Sequence, residues 1–167
     1  MMGRALLIVG SIATIGLLIT AMLGYELPTG ADPVRLSNHL MAAVLTSLLL
    51  LFSHCWILFY LIGTGKAIKT AVAEHGLEPE IIEQTKLFKN RSNPWLMLAM
   101  MLAMATFVLG GGVATSVVPA WVHHALFIVT ALTQFWALKV EYEVLTANEK
   151  LFKSIDRRLI RAAAEGE

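Results

Sequence analysis

The sequence is short of charged side chains. Asp, Glu, Lys and Arg make up only 15% of the 167 residues, against about 25% in a typical soluble domain. Hydrophobic residues account for 57% of the chain, and the mean hydropathy is +0.69. The few charges are clustered, so that long stretches carry almost none. This distribution is typical of a protein that crosses a membrane and not of a soluble domain.

Cysteine and excess positive charge are also lacking. Cys55 is the one cysteine, which excludes an intrachain disulfide and any zinc or iron–sulfur site built on several cysteines. The formal net charge of +1 gives no electrostatic basis for a nucleic-acid partner. The sequence contains no phosphate-binding loop, serine-hydrolase elbow or zinc-protease motif. These absences favour an electron-transfer or structural subunit over a stand-alone enzyme, and they leave the question of an enzyme open.

Four apolar segments are long enough to cross a bilayer, which takes roughly 20 helical residues each. They cover residues 6–24, 36–63, 95–113 and 118–138. The sequence therefore predicts an all-α membrane protein, folded as an antiparallel four-helix transmembrane bundle. The whole chain, 1–167, is predicted to be a single membrane domain. Residues 64–94 form its cytoplasmic helical connection and residues 139–167 an amphipathic cytoplasmic helix.

The basic residues predict how the chain is oriented. Five lie between the second and third spans and five more in the C-terminal tail, whereas the first outer link has only Arg35 and the second has none. Since Lys and Arg concentrate in cytoplasmic segments, both termini are predicted to be cytoplasmic. The protein is then a multi-pass protein of the inner (cytoplasmic) membrane, with helices 2 and 4 extended into the cytoplasm.

Several helix boundaries can be predicted from breakers and caps. The second helix continues without a breaker until Gly76. The sequence Ser92-Asn93-Pro94 is expected to open the third span, as a cap followed by a first-turn proline. The amphipathic tail is expected to pack on residues 80–90. Glu141 and Glu143 are expected at the membrane edge, paired with Lys139 or with loop cations.

Small and polar residues mark the faces that should point inward, because helices in lipid pack through such residues. In chain order, these predicted inward residues are Gly10, Ala13, Thr14, Ala21, Gly24, His39, Ala43, Thr46, Ser53, His54, Ala99, Ala103, Thr106, Gly110, His123, Thr130, Gln134, Ala137 and Glu141. His124 is rotated from His123 by about 100° and therefore leaves the inward stripe.

Two histidines on different helices carry the main functional expectation. His39 and His123 each lie about one turn into a span from the outer side. Ionisable residues within spans are functional candidates by default. Two imidazoles facing each other across a bundle are the axial ligands that a b-type haem needs. Arg35, just above His39, can pair with a haem propionate, and His124 is the alternative ligand.

Other uses of the histidines remain open. His54 lies about 22 Å deeper than His39 and is a possible second haem site, although the fourth span offers no histidine at that depth. A bare zinc or copper site would use His39, His123 and His124. Each histidine can also serve only as a hydrogen bonder between helices.

The four helices with outer-side histidines on the second and fourth resemble small membrane cytochromes b and the haem-bearing anchors of quinone-linked respiratory complexes. The resemblance implies haem b on His39 and His123, electron transfer near the outer leaflet and a quinone or another carrier nearby. The competing hypothesis is a non-catalytic scaffold or accessory subunit that binds other membrane subunits or copies of itself. The long cytoplasmic helices favour this second hypothesis.

Overall fold

The computed structural model of the protein describes residues 2–25, 27 and 32–165. Within these residues the chain forms four α-helices, which are α1 (Met2–Tyr25), α2 (Pro33–His75), α3 (Glu80–Ala114) and α4 (Ala120–Glu165). All four are long and apolar enough to cross a membrane. The prediction of an all-helical, multi-pass membrane protein is confirmed at this level.

The ends of α2 follow from its capping residues. At its start, the Asp32 carboxylate accepts a hydrogen bond from the Val34 backbone N–H at 3.0 Å, and Pro33 occupies the first turn. At its end, Gly76 adopts a left-handed conformation with φ of 61°, which glycine accepts without strain. The predicted stop at Gly76 is confirmed. The 43-residue helix is about 65 Å long, roughly twice the thickness of a bilayer core.

The helix start predicted at Ser92-Asn93-Pro94, with a cap and a first-turn proline, is wrong. The helix α3 runs through this sequence without a break, with Pro94 in its interior. Proline lacks a backbone N–H and usually ends or kinks a helix. In the turn before Pro94, the Ser92 hydroxyl donates a hydrogen bond to the Phe88 carbonyl at 2.9 Å. The side chain therefore bonds back within the helix instead of capping a new one.

The helices form a ring in which each contacts its neighbours in the chain, and α4 closes the ring against α1. A smaller diagonal contact joins α2 to α4. We call the segments on either side of the α1–α2 and α3–α4 connections the loop end. The segments of α2 and α3 around their connection, together with the C-terminal part of α4, are called the stalk end.

Apolar clusters hold the stalk end together. One cluster in the bundle contains Leu6, Ile57, Leu61, Leu96, Val140, Val144 and Leu145. Further out, Ile81 of α3 packs with Ile68 and Val72 of α2 and with Ile155 of α4. The expected packing of the C-terminal tail on residues 80–90 is confirmed by the Ile81–Ile155 cluster.

Most of the residues predicted to face inward are buried. The buried members are Gly10, Ala13, Thr14, Thr46, Ser53, His54, Ala99, Ala103, Thr106, Thr130, Gln134, Ala137 and Glu141. Large apolar side chains cover the outside of the bundle instead, as expected for contact with lipid. His39 and His123, near the loop end, are only half-buried.

Candidate functional site

A fully buried histidine lies between two polar side chains of α4. The Nδ1 atom of His54 is 2.5 Å from Oε1 of Glu141, and its Nε2 atom is 3.0 Å from Oε1 of Gln134. All three side chains have an exposed fraction of 0%. Together with Thr14 of α1, they form what we call the polar cluster, which joins three helices in the bundle core.

The Gly10 carbonyl, at one end of the polar cluster, determines which group donates in each of the following hydrogen bonds. The Gly10 carbonyl can only accept, so the Thr14 hydroxyl donates to it at 2.8 Å. Thr14 Oγ1 then accepts from the Gln134 amide nitrogen at 3.1 Å. The Gln134 oxygen is left facing His54 and must accept from its Nε2. His54 therefore carries a proton on Nε2.

Glu141 is paired with His54, so the expected pairing of Glu141 with Lys139 or a loop cation is wrong. It lies seven residues after Gln134, so the two share one face of α4 and both point to His54. Its Oε2 atom is buried and has no hydrogen-bond partner among the described residues. Glu143 faces another way and forms an ion pair with Arg91, a cation of the segment between the second and third spans, as expected. Lys139 lies over the Trp136 ring, 4.9 Å from its centroid.

The contacts of His54 bear on the second haem site that the sequence left open. Iron binds an imidazole through an unprotonated nitrogen. The Nε2 atom of His54 donates to Gln134, and Nδ1 lies in a short contact with Glu141. Neither nitrogen is free for a metal in this arrangement, which favours a role for His54 within the protein's own hydrogen-bond network.

His39 at the loop end has a different environment. Its Nδ1 atom lies 3.0 Å from the Thr20 carbonyl oxygen of α1. A carbonyl only accepts, so Nδ1 donates and the neutral ring keeps Nε2 as its unprotonated nitrogen. The ring sits against Gly24, where an added Cβ would lie 2.5 Å from its Cε1. Glycine at position 24 is therefore required for this ring position.

His123 repeats this arrangement on the other pair of helices. Its ring lies against Gly110 of α3, where an added Cβ would be 3.1 Å from Cε1. Its Nδ1 atom is buried and has no hydrogen-bond partner in the part of the chain that the structure describes. His124 is exposed, with its ring centroid 6.0 Å from that of His123. The adjacent histidines thus occupy different environments.

His39 and His123 lie at about the same level of the bundle. His54 contacts both Gln134 and Glu141, so its level on α4 falls midway between them. His39 precedes His54 by fifteen residues, and His123 precedes that midpoint by fourteen to fifteen. Both spacings correspond to about 22 Å along a helix.

The remaining candidates are more exposed. Arg35, one turn before His39, is exposed at the loop end. Cys55 is exposed and contacts the sulfur of Met100 at 3.8 Å. Across the described residues, no group of three or more His, Cys, Asp or Glu side chains is arranged to hold a metal ion.

The pairing of His54 with Glu141 was missed from the sequence, although a signal for it exists. His54 and Gln134 are both intramembrane polar residues on predicted inward stripes, and Glu141 continues the α4 stripe. An inward stripe with two polar groups seven residues apart can place both against one partner on a facing helix. Treating Glu141 as interfacial hid this possibility.

No family model, curated protein or solved structure matches this chain. The functional proposal therefore rests on the geometry of the described side chains.

Proposed function

We propose that the protein is an integral membrane b-type haem protein that carries electrons near the outer leaflet. One observation carries the proposal. His39 and His123 lie at one level near the loop end, and each has a ring nitrogen without a partner among the described side chains. Such an imidazole in a membrane span is a candidate ligand, and two of them are the usual axial set of a low-spin haem b.

The donor chemistry of these residues fits a haem. The bond from His39 Nδ1 to the Thr20 carbonyl is the kind of support that orients a ligating imidazole and leaves Nε2 for the metal. Gly24 and Gly110 give each ring a notch in the adjacent helix. Arg35, one turn before His39, would pair with a propionate. A bound haem would supply one-electron redox chemistry, and the chain would orient it and exclude water.

We further propose an antiparallel bundle with both termini in the cytoplasm of the inner membrane. Contacts between α1 and α4 support this arrangement, since Gly3 faces Leu145 whereas Gly10 faces Leu138 and Glu141. The concentration of Lys and Arg on the stalk end supports its cytoplasmic location. His39 and His123 then lie near the outer leaflet, where a quinone or a partner subunit would exchange electrons with the haem.

Absorption spectroscopy tests the haem. The full chain is purified in mild detergent, and spectra are recorded before and after reduction with dithionite. We expect a Soret band and a sharp α band in the reduced form. His39→Ala and His123→Ala should each remove the bands, and His124→Ala is the matched control that should retain them. A folded, colourless wild-type protein that stays colourless after haem is added would refute the proposal.

A scaffold or accessory subunit is the second candidate, and the stalk favours it. The cluster of Ile68, Val72, Ile81 and Ile155 extends a packed three-helix unit beyond the bundle, which a minimal haem carrier does not need. Native mass spectrometry of the purified protein tests this function. A stable complex with other subunits or further copies, free of haem, would support it. A haem-loaded monomer would contradict it.

The bare metal site on His39, His123 and His124 lacks an observation of its own in its favour. It remains a third hypothesis, and metal analysis of the same preparation tests it. One zinc or copper ion per chain, lost in His39→Ala, would support it. A metal content below one tenth of the chain concentration would contradict it.

A further inference from the structure

Glu141 carries a buried oxygen that the proposed haem site does not use. Its side chain has an exposed fraction of 0%, and Oε1 contacts His54. Its Oε2 has no hydrogen-bond partner among the residues that the structure describes. A buried acceptor without a donor costs free energy, and most such groups in proteins are satisfied. An exception calls for a physical explanation.

The contact between His54 and Glu141 fixes how many protons the pair holds. Nε2 already carries a proton, which it donates to Gln134. Nδ1 and Oε1 lie 2.5 Å apart, and without a proton between them two lone pairs would face each other. One proton therefore lies at this contact. Whichever atom holds it, the pair has no net charge, which is the state that a bundle core tolerates best.

The proton cannot leave through the rest of the polar cluster. Beyond His54 the chain passes through the Gln134 amide and the Thr14 hydroxyl and ends at the Gly10 carbonyl. An amide and a backbone carbonyl do not accept a proton near neutral pH. The proton must therefore exchange with solvent through the other oxygen of the pair, Oε2 of Glu141.

That oxygen faces the seam between α1 and α4. A Cβ added at Gly10 would lie 3.5 Å from Glu141 Oε2 and 3.6 Å from Leu138 Cδ1. On the outside of the same seam is a groove of about 390 Å³, lined by Leu7, Ser11, Phe135, Leu138, Lys139 and Tyr142. Leu138 thus belongs both to the groove and to the surroundings of Gly10. Ser11, Lys139 and Tyr142 give the groove polar groups.

Few other charges surround the pair. Among the described residues, the ion-pair partner of Glu141 on α2 is His54. On α1, Gly10 lies beside Glu141 Oε2, and Thr14 is bonded to Gln134. The Arg4 side chain of α1 is exposed. On α3, Arg91 is held in its ion pair with Glu143. On α4, Lys139 and Tyr142 line the groove.

We infer that His54 and Glu141 form a buried proton-binding site that is loaded sideways from this groove, past Gly10 and Leu138. A proton from water binds Oε2, and the proton at the contact is then held on Nδ1, which leaves an imidazolium beside a neutral acid. Loss of one proton to water restores the starting pair. Protons and charge balance without any oxidant or reductant. The inference does not depend on the haem.

Solid-state NMR of the full chain in lipid nanodiscs, with ¹⁵N-labelled histidine, tests the site. We expect a strongly downfield proton bonded to His54 Nδ1, and Glu141→Gln should remove it. After transfer to D₂O the signal should decay as the proton exchanges. Gly10→Ala should slow the decay several-fold, because its methyl group fits in ordinary contact between Oε2 and Leu138.

Gly3→Ala is the matched control on the same helix. Its Cβ would lie 3.7 Å from Leu145 Cβ, an equally ordinary contact, away from Glu141. It should leave the exchange rate unchanged. The absence of a downfield proton in the wild type would overturn the site. A wild-type rate in Gly10→Ala, or equal slowing in Gly3→Ala, would overturn the access route. None of these readouts uses haem absorption, so failure of the haem proposal is detected separately.

Discussion

The polar cluster and the loop-end histidines differ in how far their hydrogen-bonding capacity is used. His54 is fully buried, and both of its ring nitrogens lie against side chains of α4. His39 and His123 are half-buried and rest on glycines of adjacent helices, and each retains a ring nitrogen without a partner in the described chain. All three are histidines on inward faces of the same bundle.

This difference separates two uses of an intramembrane histidine. A ring with both nitrogens engaged joins helices and holds protons, whereas a ring with one nitrogen engaged is oriented and still able to bind a ligand. The polar cluster should therefore control the stability of the bundle, and the loop-end histidines should control its ligand binding. The following variants test that division.

The largest effect is expected from Glu141→Leu. Removing one partner of a buried pair leaves the other without compensation, which costs about 3–5 kcal/mol. Glu141→Gln should cost less, because its amide can still donate to His54 Nδ1. Unfolding of the purified protein in SDS, followed by circular dichroism, measures both. His39→Leu is the control and should cost about 1 kcal/mol or less. Equal losses in the two leucine variants would break the division.

The next largest effect is expected from Gly24→Ala, which should lower haem binding more than it lowers stability. Its Cβ would lie 2.5 Å from His39 Cε1, so the ring must move. Overpacking of this kind costs about 1–3 kcal/mol, and the displaced Nε2 should lower haem retention. Gly110→Ala, with a contact of 3.1 Å to His123, should retain more haem. Haem absorption per chain measures both. The opposite order would show that the notch at Gly24 does not position His39.

A smaller effect is expected from Thr106→Val. The Thr106 and Thr130 hydroxyls lie 2.6 Å apart between α3 and α4. Such bonds between membrane helices contribute about 0.6 kcal/mol on average. Thr130 also donates to the Leu126 carbonyl, so it keeps a partner. Unfolding in SDS should show a loss close to this value, and a loss above about 2 kcal/mol would place a further stabilising cluster outside the His54 region.

The smallest effect is expected from Arg91→Ala. Arg91 and Glu143 form their ion pair where both side chains are partly exposed. Exposed pairs contribute about 0–1 kcal/mol and weaken as salt is added. The free energy of unfolding should change within that range at low salt and converge with the wild type at high salt. A loss that persists at high salt would show that Arg91 has a buried role.

Most of the fold could be predicted from the sequence, because membrane spans depend on length and hydropathy. The end of α2 at Gly76 followed from a single glycine after an uninterrupted helix. A new helix was wrongly predicted to begin at Ser92-Asn93-Pro94, because proline is favoured in the first turn of a helix and usually kinks or ends one when it lies in the interior. Which of these applies depends on packing before and after the proline, and the local sequence does not carry that information.

The candidate site was less predictable. Helical periodicity placed His54 and Gln134 on inward faces, and both are buried. It could not pair His54 with Glu141, because a contact between α2 and α4 depends on how the ring of helices closes. The contacts of Gly24 with His39 and of Gly110 with His123 also depend on how neighbouring helices are aligned, so periodicity could not predict them either. Periodicity defines the face of each helix, whereas register between helices requires the three-dimensional arrangement.

The haem content of the purified wild-type protein tests the central claim most directly. Haem extracted into alkaline pyridine is counted against protein from amino-acid analysis. Among the described histidines within the predicted spans, His39 and His123 retain a ring nitrogen without a partner whereas His54 does not, so we predict one haem b per chain. Two haems per chain would mean that His54 is a ligand and would contradict our account of the polar cluster. No haem, in a folded protein supplied with excess haem, would contradict our account of His39 and His123.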